Sequence, residues 1–241
     1  MIEKPTIKKR RYFCLILLLF STSLISIQTF KKVKLENIIL SDNQIITRED
    51  IVENSYLNFP ERLIFIKTKL MEKELKKNLS LQNISVNRQI IPFGLNISIK
   101  TRKPVAYGER LKDGKKINGF VDKYGYFINE KYSDKNNTKS LKITVFGWQE
   151  KFRKRLSQIL NSSNIHDIEI IAITFSKNGF LTVEEKELKT IFLGFNPNLI
   201  ENQMLIINNL KKQLKYQDVK DKIQNIDLTK PINPKIKVFK P

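Results

Sequence analysis

The chain has 241 residues, of which 28% are charged and 41% hydrophobic, a composition typical of a globular protein with one large or two small domains. The net charge of +20 favours an anionic partner, but no zinc finger, basic zipper or aromatic RNA-binding motif accompanies it, which argues against nucleic acid. With one cysteine and one histidine, Cys14 and His166, an internal disulfide and a zinc site built from these residue types are excluded.

An uncharged apolar segment follows a basic N-terminal tail. Residues 12–30 contain no charge, and the tail 1–11 before them includes Lys8, Lys9, Arg10 and Arg11. A helix over 12–30 is about 28 Å long, close to the roughly 30 Å hydrocarbon core of a bilayer. We interpret it as an uncleaved transmembrane helix in the lipid bilayer. A cleaved signal peptide is the alternative, but no convincing small-residue cleavage site is present near 21–28. The basic tail predicts a cytoplasmic N-terminus and an exported C-terminal part.

The exported part begins with a predicted strand and two helices. Residues 33–40 have the pattern of a strand. Thr47 and Asp50 then form a capping-box-like start for a helix over 48–54. Apolar residues at helical spacing predict a second helix over 66–78.

A β-hairpin and a charged step come next. Residues 84–101 contain two runs of alternating apolar and polar side chains, the period-two pattern of half-buried strands. With the preceding elements they predict a three-stranded sheet covered by two helices. Arg102, Lys103 and Pro104 form the step into a second domain. Pro104 suits a sheet edge or the start of a new strand, and we interpret Arg102 and Lys103 as a polar strand end without a further role.

The second domain is predicted to be rich in strands. The Asp113-Gly114 pair favours a hairpin turn. Helices are predicted over 149–161 and from Asn198 onward, where Glu201 stands three residues after a possible cap. The predicted strands lie within 105–111, 119–129, 141–147, 165–176, 179–185 and 189–195, and the chain ends in a strand within 223–240 that Pro231 and Pro234 interrupt.

No catalytic grouping is present in the sequence. The common serine-hydrolase, β-lactamase and zinc-protease motifs are missing. Glu184, Glu185 and Glu187 could supply carboxylates for sugar hydrolysis, but a solvated acidic loop is our preferred interpretation. Asp122 is interpreted as a hairpin turn residue rather than an acid. The sequence therefore predicts no enzymatic activity, no cofactor, no metal and no small-molecule substrate.

The order of elements outside a single N-terminal span resembles the FtsQ/DivIB family of bacterial cell-division proteins. The residues that carry this resemblance are 41–51, 83–106 and 119–128, and 191–195 with 226–236 extend it. The resemblance implies an α+β fold class with a transmembrane helix over 12–30, a POTRA domain (β-α-α-β-β) over 33–102 and a strand-rich α+β domain with two helices over 103–241. Family members commonly have an arginine and an aromatic residue where Thr229 and Lys230 stand.

The same resemblance implies a non-enzymatic scaffold in the cell inner (plasma) membrane, with a periplasmic C-terminal part and a location at the division septum. Its partners would be other divisome membrane proteins, such as an FtsB–FtsL-like pair. A partner segment that adds as a further strand at a sheet edge is the expected binding mode. The candidate partner-binding residues are Ile226, Asp227, Leu228, Thr229, Lys230 and Ile232. A POTRA-containing transport or outer-membrane assembly factor is the alternative function.

Overall fold

The computed structural model describes residues 6–41, 45–112, 114–134, 138–214 and 222–239, with the side chains of all of these except 6–11, 24 and 112. The chain divides into two compact units, Met1–Thr101 and Arg102–Pro241. The predicted α+β fold class is confirmed, because an apolar helix and a small sheet with two helices precede a strand-rich unit. Asp113 of the predicted hairpin turn lies outside the described residues.

Helix α1 (Thr6–Phe30) opens the first unit. Its segment Tyr12–Phe30 has 19 residues, is apolar enough to cross a membrane and is not buried by the rest of the protein. This segment indicates a single-pass membrane protein. The basic residues predicted to determine topology lie in the first turns of α1, and their side chains are outside the described part of the structure: Lys8, Lys9, Arg10 and Arg11.

The first unit contains a three-stranded sheet in the order β2-β5-β4. β2 pairs with β5 in parallel and β4 pairs with β5 in antiparallel orientation, so the predicted hairpin is confirmed. A short ladder between β1 and β3 stands apart from this sheet. The elements are β1 (Lys32–Val33), β2 (Ile38–Ser41), α2 (Arg48–Glu53), β3 (Glu61–Arg62), α3 (Thr68–Asn78), β4 (Asn83–Gln89) and β5 (Gly94–Lys100).

Local side-chain hydrogen bonds determine where two of these elements begin. The predicted capping box is confirmed, because the Asp50 N–H donates to the Thr47 hydroxyl (3.2 Å) and the Thr47 N–H donates to the Asp50 carboxylate (3.1 Å). The prediction of one strand over 33–40 is wrong. The Lys34 N–H donates to the Asn37 side chain (3.0 Å), which closes a 3-10 turn between β1 and β2.

The second unit is built on a nine-stranded sheet in the order β14-β13-β12-β11-β10-β9-β6-β7-β8. Pro104 begins its first strand, as predicted. The elements are β6 (Pro104–Lys112), β7 (Lys115–Asp122), β8 (Phe127–Asn129), β9 (Ile143–Trp148), α4 (Arg153–Ile165), β10 (Ile170–Phe175), β11 (Leu181–Glu185), β12 (Lys189–Gly194), α5 (Ile200–Leu214), β13 (Ile223–Asp227) and β14 (Lys235–Val238).

A row of buried aliphatic side chains crosses five adjacent strands of this sheet. Strand register places them side by side, and each has no exposed surface: Val145, Ile173, Val183, Ile191 and Ile226. Leu156 and Ile159 of α4 and Met204 and Ile207 of α5 belong to the same buried cluster. The core of the second unit therefore lies between the sheet and these two helices.

Two predicted elements of the second unit are corrected. The segment 119–129 is not one strand, because β7 and β8 are separated by a turn in which Asp122 accepts hydrogen bonds from the Tyr124 and Tyr126 N–H groups (2.9 Å each). Asn198 does not cap α5. A 3-10 turn, Pro197–Leu199, precedes the helix, and Asn196 caps that turn.

Candidate partner-binding site

The residues predicted to bind a partner lie on β13 and on the connection from β13 to β14. β13 is not a sheet edge, which corrects its predicted position: it pairs with β12 on one side and β14 on the other. Ile226 and Leu228 have no exposed surface and belong to the core. Of the described strands, β14 is the last at this end of the sheet, and all four of its residues are exposed.

Backbone directions show which groups of β14 face its free side. The Phe239 N–H donates to the Lys222 carbonyl (2.8 Å), so the backbone N–H of residue 239 points toward the chain of β13. In an antiparallel strand, consecutive residues point their N–H and C=O groups to opposite edges. The backbone N–H and C=O groups of Lys235 and Lys237 therefore point toward β13, whereas those of Ile236 and Val238 point toward the free side of β14.

A carboxylate-centred turn ends β13. Asp227 accepts hydrogen bonds from the Thr229 hydroxyl (2.7 Å) and the Thr229 N–H (2.9 Å). These two hydrogen bonds lower the pKa of the Asp227 carboxyl. Lys235 lies directly opposite Asp227 in the register between β13 and β14. Asp227 and Thr229 thus shape the turn that leads to the edge strand.

Leu228 and a buried glutamine attach this turn to the rest of the unit. The Leu228 N–H donates to the Phe192 carbonyl of β12 (2.9 Å). The Gln203 side-chain amide of α5 donates to the Leu193 and Leu228 carbonyls (2.8 Å each), and Gln203 has no exposed surface. Leu228→Pro would therefore remove an internal hydrogen bond and core packing, so it does not test partner binding.

The other two predicted residues lie on the exposed connection between β13 and β14. Lys230 is exposed, and Ile232 is fully exposed at 100%. At the start of β11 and the end of β12, the ring of Phe180 lies 6.1 Å from that of Phe192 and 5.2 Å from that of Phe195, which is 56% exposed. This aromatic cluster was not predicted from the sequence. Its signal in the sequence is Phe195, a large aromatic residue directly after Gly194 at the end of a predicted strand.

Two charged residues have roles that the sequence interpretation did not find. The interpretation of Arg102 as a polar strand end without a further role is wrong: its guanidinium forms a 2.7 Å ion pair with Asp122, and their side chains are only 8% and 4% exposed. The predicted turn role of Asp122 agrees with its backbone hydrogen bonds. The Arg102 guanidinium also lies 3.7 Å from the centroid of the Tyr126 ring.

Glu185 corrects the interpretation of the acidic segment as a solvated loop. It is 1% exposed, and its carboxylate accepts hydrogen bonds from the Glu187 N–H (2.7 Å) and the Leu188 N–H (2.8 Å). Lys211 of α5 forms an ion pair with it at 3.0 Å. Burial lowers the pKa of Lys211, but the hydrogen bond and charge of Glu185 outweigh burial and raise that pKa above its ordinary value. The arrangement is structural, because it connects the turn between β11 and β12 to α5.

Among the residues that the structure describes, no group of three or more His, Cys, Asp and Glu side chains is arranged to hold a metal ion. The site is accordingly a strand edge with an adjacent turn and aromatic cluster. Its groups can form hydrogen bonds, apolar contacts and ion pairs with another chain.

The comparison with known protein families concerns the first unit. Residues 33–102 match the family model described as POTRA domain, FtsQ-type. The chain therefore contains an FtsQ-type POTRA domain. The match confirms the resemblance to the FtsQ/DivIB family and supports a division-related POTRA protein. No curated protein shows a significant match to the chain.

Proposed function

We propose that this FtsQ-type POTRA protein is a non-enzymatic scaffold of the bacterial division machinery. The observation that carries the proposal is the FtsQ-type POTRA match over residues 33–102, directly after a helix able to span the membrane. In this proposal the N-terminus is cytoplasmic, the POTRA domain and the second unit lie in the periplasm, and the protein accumulates at the division septum. Its partners are other divisome membrane proteins, with an FtsB–FtsL-like pair as the first candidates.

The edge strand β14 is the proposed partner-binding element. An extended segment of the partner would add beside β14 and bond to the backbone groups of Ile236 and Val238. Lys235 and Lys237 lie on the same strand, and their exposed side chains favour acidic residues at the neighbouring partner positions. Backbone bonds would supply affinity, whereas these charges would select the partner.

The cellular part of the proposal is tested by the position of an N-terminal fluorescent fusion of the full chain at native expression level. A mid-cell band in dividing cells is the expected result. A uniform membrane signal throughout division would refute a division role and favour a transport function instead.

The binding mechanism is tested with Ile236→Pro in the full-length chain. Proline removes the outward N–H of residue 236, and the inward hydrogen bonds of β14 remain. The lost bond and an unsatisfied partner carbonyl together cost about 2 kcal/mol, or roughly 30-fold in Kd. The measurement is affinity for the co-purified FtsB–FtsL-like pair.

Ile236→Ala is the matched control, because it removes the same side chain but keeps the N–H. The proposed strand addition requires that only the proline variant loses substantial affinity. Equal losses in both variants would assign binding to the side chain, and wild-type affinity in Ile236→Pro would exclude β14 as the binding edge.

A further inference from the structure

The POTRA domain exposes apolar side chains on two separate turns. A 3-10 turn, Leu63–Phe65, follows β3 and leaves Ile64 and Phe65 exposed by 42% and 57%. The turn between β4 and β5 exposes Ile91 by 85%. Single exposed apolar residues are ordinary, but several on adjoining turns indicate an interaction surface. We call Ile64, Phe65 and Ile91 the end surface.

Hydrogen bonds hold both turns near the end of α1. The Leu63 N–H donates to the Lys31 carbonyl (3.1 Å), one residue after the helix ends. The Arg88 guanidinium, near the end of β4, donates to the Ile66 carbonyl, with a distance of 2.6 Å from Nη2. With α1 in the bilayer up to Phe30, as in the proposed function, these contacts place the end surface close to the point where the helix leaves the bilayer.

The segments that form this end of the unit are predominantly basic. The exposed basic residues within 31–37, 61–67 and 88–93 are Lys31, Lys32, Lys34, Arg62, Lys67 and Arg88. The acidic residues within these segments are Glu36 and Glu61, and the Glu61 carboxylate accepts a hydrogen bond from the Arg62 N–H (2.7 Å). Exposed apolar side chains with surrounding lysines and arginines are the composition of an interfacial membrane-binding surface.

We propose that the end surface docks on the bilayer beside α1. Its apolar side chains enter the boundary between headgroups and acyl chains, and the surrounding basic residues contact the phosphates of anionic phospholipids. The occupant is lipid rather than protein, because the membrane helix continues directly into this end of the unit. The inference rests on the membrane anchor of the proposed function. Docking would restrain the tilt of the POTRA domain, which α1 alone tethers at one point.

The test uses the full-length chain reconstituted, without any other protein, in vesicles of phosphatidylcholine and phosphatidylglycerol. The acyl chains of these lipids are brominated and quench a nearby fluorophore. Because Cys14 is the only cysteine, it can be replaced with Ser and single cysteines introduced as Phe65→Cys or Ile91→Cys. An environment-sensitive dye at either position should show a blue-shifted emission and quenching by the brominated lipid.

Lys77→Cys is the matched control. It is exposed near the opposite end of α3, an 11-residue helix about 16 Å long, whereas interfacial insertion reaches about 5–10 Å. Its dye should show neither effect. Equal quenching at all three positions, or none at Phe65→Cys and Ile91→Cys, would overturn the proposal.

A dye on the native Cys14 distinguishes this outcome from failure of the membrane anchor. Quenching at Cys14 without quenching at positions 65 and 91 refutes docking alone. Absence of quenching at Cys14 refutes the anchor, and docking with it.

Charge reversal tests the contribution of the basic residues. Arg62→Glu with Lys67→Glu should reduce quenching of a dye at position 91 in phosphatidylglycerol vesicles, whereas Lys76→Glu with Lys77→Glu should leave it unchanged. Equal effects of the two pairs would show that net charge, rather than this surface, controls the dye position, and would overturn the role of the basic residues.

Discussion

Replacing Arg102 with Met would leave a carboxylate buried without its cation. The Arg102 and Asp122 side chains are 8% and 4% exposed and form an ion pair at 2.7 Å. Met retains much of the apolar volume of the arginine stem, so the substitution mainly removes charge and the contact with the Tyr126 ring. Asp122 would still accept the Tyr124 and Tyr126 N–H groups, but its charge would lack the guanidinium.

Removing one partner of a buried ion pair typically destabilises a protein by about 3–5 kcal/mol. This is a large share of the roughly 5–15 kcal/mol by which domains are stable. With an m-value of about 2 kcal/mol per M urea, the unfolding midpoint of the second unit should fall by roughly 2 M. The double variant Arg102→Met with Asp122→Asn should recover much of the loss, because the amide oxygen can still accept both N–H groups without a buried charge.

The single tryptophan reports on this region. Trp148 is 7% exposed, and its indole N–H donates to the Gly125 carbonyl (2.8 Å) in the turn that follows Asp122. Urea titration of the full-length chain, followed by Trp148 fluorescence, therefore measures unfolding of the second unit. Lys186→Met is the control. The Lys186 and Glu169 side chains are 62% and 54% exposed, so their ion pair should contribute little to the free energy of unfolding.

The reasoning would be refuted if Arg102→Met shifted the midpoint no more than Lys186→Met. It would also be refuted if the double variant were as unstable as the sum of the two single variants, because the two side chains would then be energetically independent.

Two further changes test the second unit by the same fluorescence assay. Lys211→Met should reduce stability by about 3 kcal/mol, because the buried Glu185 loses its cation. Since folding raises the pKa of Lys211, the greater stability of the wild type should be fully present below pH about 10.4. It should disappear as pH rises through the pKa of Lys211 in the folded state. Thr229→Val removes the hydroxyl bond to Asp227 and should cost about 1 kcal/mol at neutral pH. Because that bond lowers the pKa of Asp227, the difference from wild type should diminish as pH falls below about 3.9, and a constant difference would contradict this assignment.

Local patterns predicted the regular elements where one face of an element is buried. In β5, Leu95, Ile97 and Ile99 alternate with polar residues because their side chains enter the core of the first unit. The Thr47–Asp50 capping box is also local, since both hydrogen bonds lie within four consecutive residues. In both cases the physical cause of the structure lies within a few residues of sequence.

The position of the candidate site depends on the order of the strands in the sheet, which the alternation of apolar and polar residues does not encode. The segment around Ile226 has the pattern of a terminal strand, but its position inside the sheet follows from β14 returning to pair with it after Pro231 and Pro234. Edge and central strands can have the same alternation, because alternation reports which face is buried and not which backbone groups are paired.

The sequence by itself determined the apolar N-terminal helix, the three-stranded sheet with two helices that follows it, and the strand-rich second unit, because length, hydropathy and period are local properties. Only the tertiary structure decided that β14, rather than β13, is an end strand of the described sheet, that Arg102 is buried against Asp122 and that Glu185 is paired with Lys211. Each of these depends on residues at least 8 positions apart in the chain being brought together. The energy of a charge or an unpaired backbone group is determined by burial and by its partner, and both exist only once the chain has folded.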